Sequence, residues 1–229
     1  MSITDTSIGL GVVLGTPSAN GAGAIFSVQS DRFGVQLNAD FRARFAAMAA
    51  KNMVFSTSTA TAGTTIVAAN VAPPAAAAAT FLSLYNPVGN TYDFEVLFAD
   101  IARISGTDGA QAWYWCVSAG NTAALTATTT SAATPQAARA GTSTAKAYTQ
   151  AAITGGLVHT TMRMFPTVGF AAAIAATTPN QIVREYVDGS IVVPPGSVLT
   201  LAPGAVGTTV VASASITWAE LPITGTGGV

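Results

Sequence analysis

Charge is the first thing this sequence lacks. Of its 229 residues only 8% are Asp, Glu, Lys or Arg, against ~25% in an ordinary globular domain. Nine basic and ten acidic residues leave a net charge of −1, and no long basic run occurs. That argues against electrostatic capture of nucleic acid. There is one cysteine and one histidine. The lone Cys116 has no disulfide partner within the chain, and in "AWYWCVS" it reads as a buried small hydrophobe. A Zn, Fe or Mn centre needs several converging N, S or carboxylate ligands, and the chain offers only scattered acids around His159. No P-loop, dinucleotide-binding glycine fingerprint, CxxC pair or G-x-S-x-G elbow is present. The expectation is therefore no cofactor, no metal and no catalytic residue.

Long apolar runs are also missing. Mean hydropathy is +0.48, yet the longest stretch, "VGFAAAIAA", falls well short of the ~18 residues of a membrane-spanning helix. The first thirty residues contain no Lys or Arg, unlike a signal peptide, and the aromatic girdles of an outer-membrane barrel are not evident. These features predict a soluble chain made in the cytoplasm, with no membrane partner.

What is present is a hydrophobic half, 50% of all residues, and a polar remainder dominated by Thr, Ser, Asn, Gly and Ala. A surface of uncharged polar groups sheds its water at low cost, which suits a protein covered by neighbours. Residues 1 to about 30 are rich in Gly, Ser and Thr and read as an extended arm. In "NADFRARFAAMAAKN", Phe41, Phe45 and Met48 fall at i, i+4 and i+7 on one helical face. Asn38 or Asp40 suits the helix start and Lys51-Asn52 its end. Arg42, Arg44 and Lys51 lie off the apolar face, either as a docking surface for an acidic partner or as an ordinary solvated face. Phe55 to Thr80 follows with weak alternation, a Pro73-Pro74 break and an alanine run, and reads as a linker or an ordered edge segment. Residues 1–78 thus make an arm, a short helix and a linker.

From residue 79 to 229 the texture is that of strands. "TFLSLYNPVGN", "YDFEVLFADIARI", "AWYWCVSAG", "GGLVHTTMRMF", "IVREYVDG", "SIVVPPGSVLTL" and "TTVVASASITWAELP" alternate and end in turn residues. A Thr/Ala tract, residues 121–150, interrupts them as a long loop with a binding role or mobility of its own. About eight short strands with scarce helical pattern predict an all-β fold, a jelly-roll-like antiparallel sandwich with an N-terminal arm and one short helix.

"VDGSIVVPPGSVLTL", Val187 to Leu201, has the Gly and Pro-x-Gly spacing of half a metal-binding cupin. The position where a cupin carries its histidine is Leu199, and His159 belongs to another strand. The motif is then a corner between strands, with Pro195 presetting φ and Gly196 supplying the permissive backbone. His159 alone reads as a hydrogen-bonded structural residue. Asp93 and Glu95 share a strand face about 7 Å apart, a spacing compatible with glycosidases but commonplace on an outer strand face. Trp113, Tyr114 and Trp115 are consecutive, so one sheet face buries two and the other shows one. They serve as core plus subunit contact or as a sugar platform.

The segments "VDGSIVVPPGSVLTLAPGAVGTTVVASASITWAELP" and "FLSLYNPVGNTYDFEVLFADIARI" resemble virion structural proteins of tailed bacteriophages, and most closely their head decoration, or cement, proteins. The likeness covers about Ala79 to Ile223 and is one of pattern. It implies homotrimers bound to the major capsid protein on the outside of a phage head, with arms over neighbouring subunits and no catalytic residues. On this view Phe41, Arg42, Arg44, Phe45, Met48, Trp113 and Trp115 are the expected capsid or subunit contacts. The alternative is a carbohydrate- or receptor-binding β-sandwich module of a phage tail or fibre.

Overall fold

The computed structural model describes residues 51–75, 79–107, 112–122, 125–127, 132–136, 141–155, 157–165, 181–206 and 208–223, with short pieces at 29–30, 36–37, 45, 48–49 and 173–174. The chain divides into two compact units, Met1–Ala46 and Ala47–Val229. In the first, β1 (Gln29–Ser30) pairs antiparallel with β2 (Gln36–Leu37).

The second unit is a sandwich of two antiparallel sheets. Its strands are β3 (Val54–Ser58), β4 (Thr64–Thr65), β5 (Ala79–Asn86), β6 (Tyr92–Thr107), β7 (Trp113–Ser118), β8 (Thr126–Ala127), β9 (Thr134–Pro135), β10 (Lys146–Thr154), β11 (Thr160–Phe165), β12 (Ala173–Ile174), β13 (Gln181–Val193), β14 (Ser197–Pro203) and β15 (Thr208–Pro222). One sheet runs β11-β7-β14-β5-β10-β8; the other runs β12-β6-β15-β3-β9, with β13 also on β6 and β4 on β15. Successive strands cross between sheets, from β5 to β6 to β7 and from β13 to β14 to β15, which gives the jelly-roll-like character expected of the sequence.

Alternation puts Leu82, Leu84, Leu199, Leu201, Trp113 and Trp115 of the first sheet against Phe94, Val96, Ile101, Ile216 and Trp218 of the second. Aromatic packing fills the layer: Phe81 meets Trp113 edge-on at 5.0 Å, and Trp218 lies 6.3 Å from Phe55 and 6.4 Å from Phe94. Each such side chain contributes about 1.5–3 kcal/mol on leaving water. The first sheet is buried on its other face too. Tyr85, Leu125, Tyr148, Ile153, Leu157 and Val198 form a second cluster there, which explains why every residue of β14 is buried.

Three sequence expectations change. Of the two readings of the stretch after Phe55, linker or ordered edge segment, the structure shows ordered strand, which begins before residue 79. β3 pairs with β15 from Val54 against Ala219 to Ser58 against Ser215, and Phe55 enters the core. A single helix does not pass through Phe45, whose φ of 65° is left-handed. Met48 and Ala49 are helical. The Thr/Ala tract is stitched to both sheets, since β8 pairs with β10 and β9 with β3. A carboxylate holds its last part. Glu220, 5% exposed, accepts from the Ser143 hydroxyl, from the Thr144 N–H at 3.1 Å, from Thr144 Oγ1 at 2.8 Å and from Trp218 Nε1 at 3.3 Å.

The Pro-Pro-Gly corner forms as its residues dictate. Ser197 N–H donates to the Pro194 carbonyl at 3.1 Å, Gly196 has φ 78°, and the chain passes from β13 in one sheet to β14 in the other. That is a type II turn, with Pro at its second position and Gly at its third. A side chain at Gly196 would also collide with the Asn121 carbonyl, 2.5 Å from a Cβ.

Candidate functional site

The residues that sequence reasoning singled out do not converge. Trp113 and Trp115 are 2% and 0% exposed. Both face the interior, because they share a face with Leu201 of the neighbouring strand. They are corrected accordingly: neither is a sugar platform nor a subunit contact, and the residue of the trio turned the other way is Tyr114. Phe41, Arg42 and Arg44 lie outside the described residues. Phe45 and Met48 are half-buried and belong to different units.

His159 is buried, with Nε2 3.1 Å from Thr200 Oγ1, which in turn lies 2.7 Å from Ser83 Oγ. Burial lowers its pKa, partly offset by the Pro74 backbone. This is a structural network on the outer face of the first sheet, covered by protein. Cys116 is fully buried, and burial pushes its thiol up to about 11, against a smaller lowering by Thr161. Such a thiol is a poor nucleophile. Glu95 lies over β13, one carboxylate oxygen 3.2 Å from where a Cβ of Gly189 would stand. Gly189 and Asp188, both with positive φ, form a bulge at the register shift between Tyr186 and Ile191. Among the described residues no three His, Cys, Asp or Glu side chains gather, and no helix is long and apolar enough to cross a membrane.

Among the described residues the fold has an open side. Among the described residues β11 pairs only with β7 and the 13-residue β13 only with its neighbour β6. Both are therefore sheet edges, and they lie on the same side of the sandwich. Glu185 of β13 joins them: its Oε2 accepts from Trp115 Nε1 at 2.6 Å and its Oε1 from Arg163 of β11. Both edge strands carry exposed apolar side chains, Met162 (41%) and Met164 (58%) on β11, and Ile182 (67%), Tyr186 (60%) and Val192 (46%) on β13. Among the described residues, such a long edge strand with exposed apolar groups is a template for another strand. Sequence reasoning missed this side because "IVREYVDG" and "TTMRMF" show strand period without showing which strands end a sheet.

No family model, curated protein or solved structure matches the chain.

Proposed function

We propose that this chain is a virion structural protein: a capsid decoration or cement protein that binds the outside of a phage head as a trimer and stabilises it. Its partners are the major capsid protein and further copies of itself, and its place is the capsid surface. The observation that supports this reading is the open side formed by β11 and β13. Edge pairing there supplies main-chain hydrogen bonds, and the exposed Met, Ile and Tyr side chains supply apolar contact. A surface nearly free of Lys and Glu lowers the desolvation cost of such contacts. Many small contacts repeated over a shell add through multivalency and raise the barrier to opening.

Light scattering on the purified chain tests the self-association. A trimer is expected, and Ile182→Lys with Met164→Lys converts it to monomer without lowering its melting temperature. A wild-type monomer that also fails to bind expanded heads sinks the reading. The carbohydrate- or receptor-binding alternative rested on Trp113 and Trp115, and their burial removes that support.

A further inference from the structure

The outer face of the second sheet carries a cleft that the proposed assembly role does not use. Three strands and a loop meet there in register. Thr217 of β15 lies between Phe98 of β6 and Ser56 of β3, and Ser215 lies between Asp100 and Ser58. Gln136, just after β9, donates to Ser56 Oγ at 2.6 Å and closes one end. Arg184 of β13 closes the other. The cleft is half open to solvent and has a volume of about 300 Å³, at the lower end of the ~300–1,000 Å³ of small-ligand sites.

The lining narrows the chemistry. An anionic ligand is disfavoured because Arg184, the cation of the wall among the described residues, is already paired. Its Nε and Nη2 lie 2.6 and 2.9 Å from the two oxygens of Asp100. A cationic ligand is disfavoured by the same pair, since the Asp100 charge is spent on Arg184. An apolar ligand would strand the Ser and Thr hydroxyls and the Gln136 amide without partners. What remains is a neutral ligand that both donates and accepts at several points. The side-chain set does the same: hydroxyls, one amide, and a carboxylate and guanidinium fixed against each other. Phe98 is not open to the ligand on the Arg184 side, since the guanidinium lies over its ring, 4.8 Å from the centroid. A pyranose has this character, neutral hydroxyls around its rim that each donate and accept.

We infer that this cleft is a binding site for a neutral hexose unit of a glycan, with Ser56, Ser58, Gln136 and Ser215 meeting its hydroxyls. The cleft adjoins the open side along β13, where Tyr186 packs on Phe98 and Arg184, so the sugar assignment is tested at Gln136, Ser58 and Ser215 and the assembly assignment at Ile182 and Met164. The test is ligand-observed saturation-transfer NMR on the full chain with glucose, galactose, mannose and N-acetylglucosamine, and with glucuronic and sialic acids as the anionic arm. At least one neutral sugar is expected to receive saturation. The signal is lost in Ser215→Trp, which fills the cleft from an outward position. In Gln136→Ala affinity falls about tenfold, the scale of one lost hydrogen bond to a ligand. Circular-dichroism melting of both variants should match wild type; if Ser215→Trp melts early, Gln136→Ala and Ser58→Ala carry the test. Silence from every neutral sugar, binding of the acids alone, or undiminished transfer in the cleft variants overturns the assignment.

Discussion

Glu185 ties the two sheets together at their open side, and the worth of that tie can be divided between its two partners. Trp115 is fully buried, and the only polar atom of its side chain donates to Glu185 at 2.6 Å. In Glu185→Ala that N–H has no acceptor, which costs about 1–3 kcal/mol. The other half of the tie is different. The Arg163 side chain is 39% exposed, so its ion pair is screened by water and contributes about 0–1 kcal/mol. Glu185→Ala is thus expected to destabilise by about 1–4 kcal/mol, and Arg163→Ala by less than about 1 kcal/mol. Urea titration followed by tryptophan fluorescence measures both, with an unchanged m-value as the sign that the end states are the same. Glu185→Gln keeps an acceptor for the indole and should fall nearer wild type than Glu185→Ala. In the Trp115→Phe background, Glu185→Ala should cost less than in wild type, because the stranded donor is gone. If Arg163→Ala proves as costly as Glu185→Ala, the division is wrong and the ion pair is the dominant contact.

Other consequences are equally direct. Gly196→Ala should lose about 1–2 kcal/mol from left-handed backbone alone, and more from the contact with the Asn121 carbonyl 2.5 Å away; thermal melting reads this, and a neutral result refutes the turn assignment. Burial depresses the His159 pKa below its unfolded value, so the unfolded chain takes up the proton first as pH falls. Stability is then full above about pH 6.5 and is lost as pH drops from there through the lower folded value. Because His159 is the sole histidine, His159→Gln should flatten that slope in urea midpoints taken between about pH 7.5 and about pH 5.5. Glu220→Ala should free residues 143–145 and destabilise the fold by more than about 2 kcal/mol, since it abandons several donors at once; hydrogen exchange at the Thr144 amide is the direct readout.

Much of this fold could be read from sequence, and the parts that could not have physical reasons. The strands from β5 onward alternate strongly, and the Pro195-Gly196 pair dictates its own turn. β3 escaped notice because "VFSTS" has hydroxyls on its outer face and only Phe55 as an unmistakable core residue. In "WYWCVS" both faces of the strand are apolar, and the first sheet is indeed covered on both sides. Period therefore separates Tyr114 from its neighbours without saying which face meets the second sheet. The cleft was invisible for another reason. Its hydroxyls come from β3, β9 and β15, strands far apart in the chain, and each local Ser/Thr pattern is what any solvated strand shows. Only the register of pairing assembles them.

The clamp around Glu220 has a bearing on the medium in which the protein can work. A buried carboxylate is usually balanced by a cation, and a pair of opposite charges near a surface weakens as counterions accumulate. Here the balance comes from two hydroxyls, a peptide N–H and an indole N–H. Fixed dipoles at hydrogen-bonding range inside the protein are scarcely touched by dissolved ions. With only 8% of its residues charged, the fold should hold nearly the same stability from dilute buffer to seawater-like salt, a tolerance built from neutral groups.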